Sequence, residues 1–170
     1  MLIRQEEPRD YSEIKELVKI AFESAEHTDG NEYNLVDNLR KSSGFIKELA
    51  LVALKEDEIV GHIMFTEVKV GDNIGLALAP LSVLPKAQKK GVGTALMNEA
   101  HKIATEMGYK FSVVLGSEKY YPKVGYKTAS EYGILAPFDV PAENFMVLFL
   151  SDDKLEINGT VIYVKEIFEG

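Results

Sequence analysis

The sequence predicts one α/β (α+β) domain, a mixed, mostly antiparallel central sheet with helices on its faces. Three observations predict it. Residues 49–83 hold three strand-like runs joined by tight turns. Residues 81–115 read as strand, amphipathic helix, strand. The chain has 170 residues, 46% hydrophobic and 27% charged, which suits a globular domain with a real core.

The elements follow in order. After Met1-Leu2-Ile3-Arg4 comes a helix, with Asp10 as cap and Glu13 completing a capping box. Ile14, Leu17, Val18 and Ala21 recur at helical spacing. Gly30 interrupts, and a second helix forms around Leu35, Val36 and Leu39. Leu49–Leu54 is an apolar strand, and Lys55-Glu56-Asp57-Glu58 is its turn. Ile59–Val70 is a long strand, Gly71-Asp72-Asn73 a turn, and Gly75–Val83 a third strand ended by Pro85. These three runs make an antiparallel meander. Val92, Leu96, Ala100, Ile103 and Met107 form one apolar stripe, with Asn98, Glu99, Lys102 and Glu106 opposite. Gly108 stands where a C-terminal cap belongs. Phe111–Leu115 is a strand, so the helix before it predicts a parallel βαβ crossover. Short strands near Tyr126 and at Met146–Leu150 complete the C-terminal part. Asn158-Gly159, between Leu155-Glu156-Ile157 and Thr160-Val161-Ile162, reads as a hairpin.

Composition removes several functions. There is no cysteine, which excludes disulfides, cysteine metal sites and a cysteine nucleophile. His27, His62 and His101 lack a zinc spacing, so no metal is expected. No run approaches the ~18 apolar residues of a membrane span, and the N-terminus has no basic-then-apolar pattern. A cytoplasmic protein is the expectation. The net charge of −8 repels phosphate backbones, so nucleic acid is not an expected partner, whereas a cationic amine is favoured.

The chemistry concentrates in Leu81-Ser82-Val83-Leu84-Pro85-Lys86-Ala87-Gln88-Lys89-Lys90-Gly91-Val92-Gly93-Thr94. A strand ends, a basic loop follows, and a glycine turn opens a helix. Helix N-termini present unpaired N–H groups and partial positive charge, and so bind phosphate. Gly91 and Gly93 bring no side chain between a pyrophosphate and the backbone. Lys89 and Lys90 add charge, and Thr94 a hydroxyl. A P-loop would need Gly-Lys-Ser/Thr after a longer gap. A Rossmann turn would need a small residue where Leu96 stands.

The spacing Gln88-x-x-Gly91-x-Gly93 after Val83-Leu84-Pro85 resembles the acetyl-CoA motif of the GNAT superfamily. Tyr120-Tyr121-Pro122-Lys123-Val124-Gly125-Tyr126 resembles the aromatic segment near the end of such domains. Ile59-Val60-Gly61-His62-Ile63, Leu78–Pro85, Leu115–Tyr121, Ala136–Pro141 and Phe145-Met146-Val147 are similar to the bacterial YhbS-like group. The resemblance covers about residues 1–130, with C-terminal strands over 131–170. One departure is the Gly116-Ser117 pair, where many members carry an asparagine.

The resemblance implies acetyl-CoA as cosubstrate and direct transfer to an amine of a small molecule or peptide. The implied CoA contacts are Leu81, Val83, Gln88, Lys89, Lys90, Gly91, Val92, Gly93, Thr94 and Tyr121. A backbone N–H at Val83 or its neighbour would stabilise the thioester oxygen. Tyr121 would protonate the leaving thiolate. Glu67, late in its strand, is the first candidate base, and His62 the second. Glu23, Glu26 and Asp29 would line the amine pocket. His27 and His101 read as surface residues. A CoA-binding regulatory module on the same fold would share every cofactor contact, and turnover with amines separates the two. Strands exposed in the C-terminal part make a homodimer a reasonable assembly.

Overall fold

The two turns of the central meander both use left-handed backbone. Glu56 and Asp57 take left-handed backbone (φ 52° and 65°), and Gly71 does so at the next turn (φ 59°). The computed structural model describes residues 1–23, 32–152 and 156–164. In it, β2 (Leu51–Lys55), β3 (Glu58–Val70) and β4 (Asn73–Val83) pair antiparallel in sequence order. A short strand not foreseen in the sequence, β1 (Leu2–Gln5), adds to the edge of β2. It is only four residues long, too short for a periodicity argument.

Two helices precede the meander, α1 (Tyr11–Glu23) and α2 (Glu32–Arg40). Ile14, Leu17 and Val18 are the buried stripe of α1. The capping box lies one step earlier than expected. Asp10 Oδ2 accepts the Glu7 N–H at 2.8 Å, and Arg4 grips both Asp10 oxygens at 2.7 and 3.0 Å. Glu13 instead reaches across to the Ile59 N–H at 2.7 Å. Gly30 and His27 lie outside the described residues.

The crossover is as predicted. Helix α3 (Val92–Glu106) leads to β5 (Phe111–Leu115), which pairs parallel to β4 at Leu76/Ser112 and Ala77/Val113. Gly108 (φ 93°) ends the helix, its N–H bound to the Thr105 carbonyl. Met107, expected in the apolar stripe, is exposed, because the helix has already ended there. The strands β6 (Lys127–Thr128) and β8 (Phe145–Phe149) extend the sheet, in the order β1-β2-β3-β4-β5-β8-β6.

The predicted hairpin at Asn158-Gly159 is not formed among the described residues. β9 (Gly159–Thr160) pairs parallel with β7 (Ile134–Leu135) instead, and Leu155 lies outside the described residues. Gly159 N–H and Val161 N–H bind the carbonyls of Gly133 and Leu135, which consumes the groups a hairpin would use. This tail, with Ile157 and Val161 buried, covers Phe111, Val113 and Val147.

One irregularity positions everything that follows. Ile63 pairs with Leu81 and Phe65 with Leu78, so Ala79 and Pro80 on β4 oppose Met64 alone on β3. This is a β-bulge, a place where proline's missing N–H costs no ladder bond. The extra residue shifts the alternation of β4. Leu76 and Leu78 face α3 before the bulge, as the pairing with Glu67 and Phe65 requires, and Leu81 and Val83 face it after.

Candidate active site

The β4–β5 ladder is registered at Leu76/Ser112 and Ala77/Val113, and β4 runs on past it for six residues to Val83. The strand end, the loop after it and the start of α3 enclose a cavity of about 700 Å³, closed on its far side by the segment after β5. Of the sequence-predicted cofactor residues, Leu81, Val83, Gln88, Lys89, Gly91, Val92, Gly93, Thr94 and Tyr121 line it. Lys90 is exposed and stands outside the lining. The structure adds Ala87, Lys119, Tyr120 and Lys123. Basic side chains three and seven residues beyond Gly116 carry no periodic signal in the sequence, so only the tertiary approach of the two segments reveals them.

The loop is held by its own residues. Gln88 Nε2 donates to the Val83 carbonyl at 3.1 Å, clamping the loop to the strand it left. Lys89 has φ 62°, a left-handed conformation that costs a non-glycine residue about 1 kcal/mol. Gly91, the N-cap of α3, has φ 85°, and a methyl built there meets nothing within 4 Å. No side chain caps the helix, so its first N–H groups face the cavity. In a chain of net charge −8, Lys89, Lys119 and Lys123 converge on this one mouth. The arrangement suits an anion such as a diphosphate.

The far wall is an aromatic chain. Tyr120 and Tyr121 meet edge to face at 5.1 Å, and Tyr121 meets Tyr126 at 5.8 Å. Tyr126 is fully buried, its hydroxyl 2.9 Å from Ser112 Oγ and 3.0 Å from His101 Nε2. His101, expected at the surface, is thus a core residue. Its place on the inner side of α3, against Phe65 at 6.0 Å, decides this. Burial lowers its pKa to about 4. The edge of the Tyr121 ring lies against Gly116, where any Cβ would collide with it. The departure from asparagine at this point therefore makes room for Tyr121. Burial pushes the Tyr121 phenol well above its ordinary pKa, with Tyr120 adding a smaller push, so it keeps its proton.

Neither candidate base reaches this wall. Glu67 receives the Tyr109 hydroxyl at 2.6 Å, beyond the C-terminal end of α3. The helix is 15 residues, about 22 Å, and the cavity lies at its other end. His62 is wholly buried on the opposite face of the sheet, its Nε2 2.9 Å from Glu6 Oε1. Arg40 holds the same carboxylate at 2.8 and 3.0 Å and stacks 3.8 Å over Tyr11. Burial alone would raise the Glu6 pKa, but the hydrogen bonds from His62 and Arg40 bring it down to about 2. His62 is a core residue that, through Glu6 just after β1, ties β3 to Arg40 at the end of α2. Glu23 is exposed at the end of α1, and Glu26 and Asp29 lie outside the described residues. Among the described residues, no helix is long and apolar enough to cross a membrane.

Comparison with known proteins agrees with this geometry. The sequence profile of the acetyltransferase (GNAT) family matches residues 11–126. The uncharacterized N-acetyltransferase YjhQ of Escherichia coli (strain K12) is 31% identical over 160 residues, spanning 89% of this chain and 86% of its own length. The GNAT family N-acetyltransferase YhbS from Escherichia coli, solved in complex with CoA, superposes with a TM-score of 0.89 at 29% identity. That match covers 98% of this chain and 91% of the other. A GNAT family acetyltransferase from Brucella melitensis, solved with acetyl-CoA, gives 0.80 at 29% identity, covering 97% and 96%.

Proposed function

The chain belongs to the GNAT family of acetyltransferases, and from that premise we propose that it binds acetyl-CoA in the cleft at the end of β4 and passes the acetyl group directly to an amine. The observation that carries the reading is the mouth of α3. Uncapped helix N–H groups, an open glycine and three lysines meet beside a partly buried tyrosine that keeps its proton. The solved relatives that hold CoA and acetyl-CoA support it.

The residues divide the work as follows. Gly91 and the first turn of α3 seat the diphosphate, with Lys89, Lys119 and Lys123 neutralising it. Leu81 and Val83 form the apolar wall along the pantetheine path. When bound, acetyl-CoA supplies an activated thioester. A backbone N–H at the end of β4 is placed to stabilise the oxygen as it gains charge. The Leu84 N–H is already given to the Val60 carbonyl at 2.9 Å, and the alternation of the antiparallel ladder commits Ser82 to His62 in the same way, which leaves Val83. The Tyr121 hydroxyl donates its proton to the departing sulfur.

No carboxylate or imidazole lines the cavity among the described residues. We therefore assign the amine proton to water rather than to Glu67 or His62. An alkylamine near pKa ~10.4 is less than ~0.1% neutral at pH 7. The expected kcat/KM then rises about tenfold per unit from pH 7 to 9. A plateau reached near pH 7 and lost in His62→Gln would restore an enzyme base. The primary test is calorimetric titration with acetyl-CoA and CoA, followed by thiol release with an amine series. Micromolar binding and amine-dependent release are expected. Binding without release from any amine would leave a CoA-binding module, and no binding would overturn the reading.

A further inference from the structure

The two glycines at the mouth of α3 differ in what stands above them. A methyl on Gly91 meets open space, whereas a methyl on Gly93 would overlap the Tyr120 hydroxyl oxygen, with the ring carbon behind it at 3.4 Å. Thr94, the next residue of that turn, lines the same cavity. So a phenol oxygen rests on the first turn of the helix, over Gly93, where no side chain of the helix itself acts as cap. Tyr120 is half-buried, lines the cavity, and is held from behind by the edge of Tyr121. Its backbone is anchored, since its N–H binds the Ser117 carbonyl at 3.1 Å and its carbonyl accepts from Lys123 at 3.2 Å. Only the side chain is free to leave.

We propose that the Tyr120 hydroxyl is a built-in competitor for the phosphate cradle, occupying the oxygen position over Gly93 until an anionic phosphate oxygen displaces it. The inference rests on the acetyl-CoA reading above. A neutral phenol oxygen at a helix N-terminus is a weaker partner than a charged phosphate, so the exchange runs toward the ligand. The contact lowers affinity by the cost of moving the phenol oxygen off the turn. It also selects for ligands that carry an anionic oxygen at this point, since an uncharged thioester arm has nothing to displace the phenol with.

The test pairs two measurements. Tyr120→Phe removes the competing oxygen and keeps the ring, so calorimetry should find CoA binding about fivefold tighter than wild type. Equal or weaker binding by the variant, with wild type still binding, overturns the proposal and leaves the cofactor reading standing. Silence from both proteins overturns the cofactor reading and the proposal with it. Thermal unfolding without ligand reads the contact alone. Gly93→Ala should lower the midpoint in the wild-type background and lower it by less than half as much in Tyr120→Phe, because the overlapping atom is gone. Equal losses in the two backgrounds would mean that Tyr120 does not rest on Gly93, and would overturn the proposal whatever CoA does.

Discussion

Gly91 and Gly93 stand two residues apart and are glycine for different reasons. Gly91 needs its left-handed φ of 85° and keeps the cradle open, and Gly93 accommodates Tyr120. Gly91→Glu is expected to abolish measurable CoA binding, more than ~100-fold, because a carboxylate would enter the diphosphate position. Gly91→Ala separates strain from occlusion. It should cost about 1 kcal/mol of stability at positive φ, with a much smaller loss of affinity. Calorimetry and chemical denaturation of the two variants decide this, and equal affinities for both would remove Gly91 from the cradle. Tyr121→Phe should leave acetyl-CoA affinity within about twofold and lower kcat by about 10²-fold or more, as expected for a general acid. An unchanged kcat would remove Tyr121 from proton transfer. Gln88 shows a different lesson. Its place in the motif reads as a ligand contact, yet its amide is spent on the Val83 carbonyl. It shapes the loop that the lysines extend from.

At the scale of elements, the site depends on where β4 stops pairing. Next to β5, β4 is pressed close, since a Cβ on Gly75 would lie inside the ring of the fully buried Phe111. Gly75→Ala therefore overpacks the crossover and should cost about 1–3 kcal/mol, although alanine otherwise suits a strand better than glycine. Urea denaturation checks it, and a neutral or stabilising result would mean that β4 and β5 do not pack as described. Past the bulge at Ala79-Pro80, β4 turns Leu81 and Val83 toward α3 and the cavity. A strict alternation across Gly75–Val83 would have sent these two side chains to the other face. The run was legible as a strand. Its change of phase was not, because only the pairing with Ile63 and Phe65 exposes it.

For the molecule as a whole, His101 and Glu6 are two buried groups through which acid lowers stability. His101 stays neutral in the folded protein down to about pH 4, through burial, while an unfolded chain takes up that proton near 6.5. Stability therefore falls as pH drops from about 6.5 to 4, by up to ~3 kcal/mol. Glu6 has its pKa held down to about 2, so its contribution is complete above about 4.5 and is lost as pH falls from there toward 2. Between pH 6.5 and 4.5 His101 contributes a slope that Glu6 does not. His101→Gln, which can keep a hydrogen bond to Tyr126, should flatten that part of the denaturation profile. A slope unchanged in the variant would show that His101 titrates normally.

By itself the sequence determined the meander, the crossover, and the glycine turn that opens α3. Each rests on local rules, namely turn residues, apolar periodicity and a glycine motif behind a strand, and the chain carries those signals within one contiguous segment each, residues 49–83 and 81–115. The tertiary structure decided which side chains share a space. It sent Glu67 to the far end of α3 and sealed His62 against Glu6 and Arg40. It brought Tyr120, Lys119 and Lys123 across to the loop, and turned Asn158-Gly159 into a parallel pairing with Ile134–Leu135. The physical reason is the same in each case. A residue's type and spacing state what it is able to do, while its partner is set by contacts between segments tens of residues apart, through burial and hydrogen bonds that no local pattern contains.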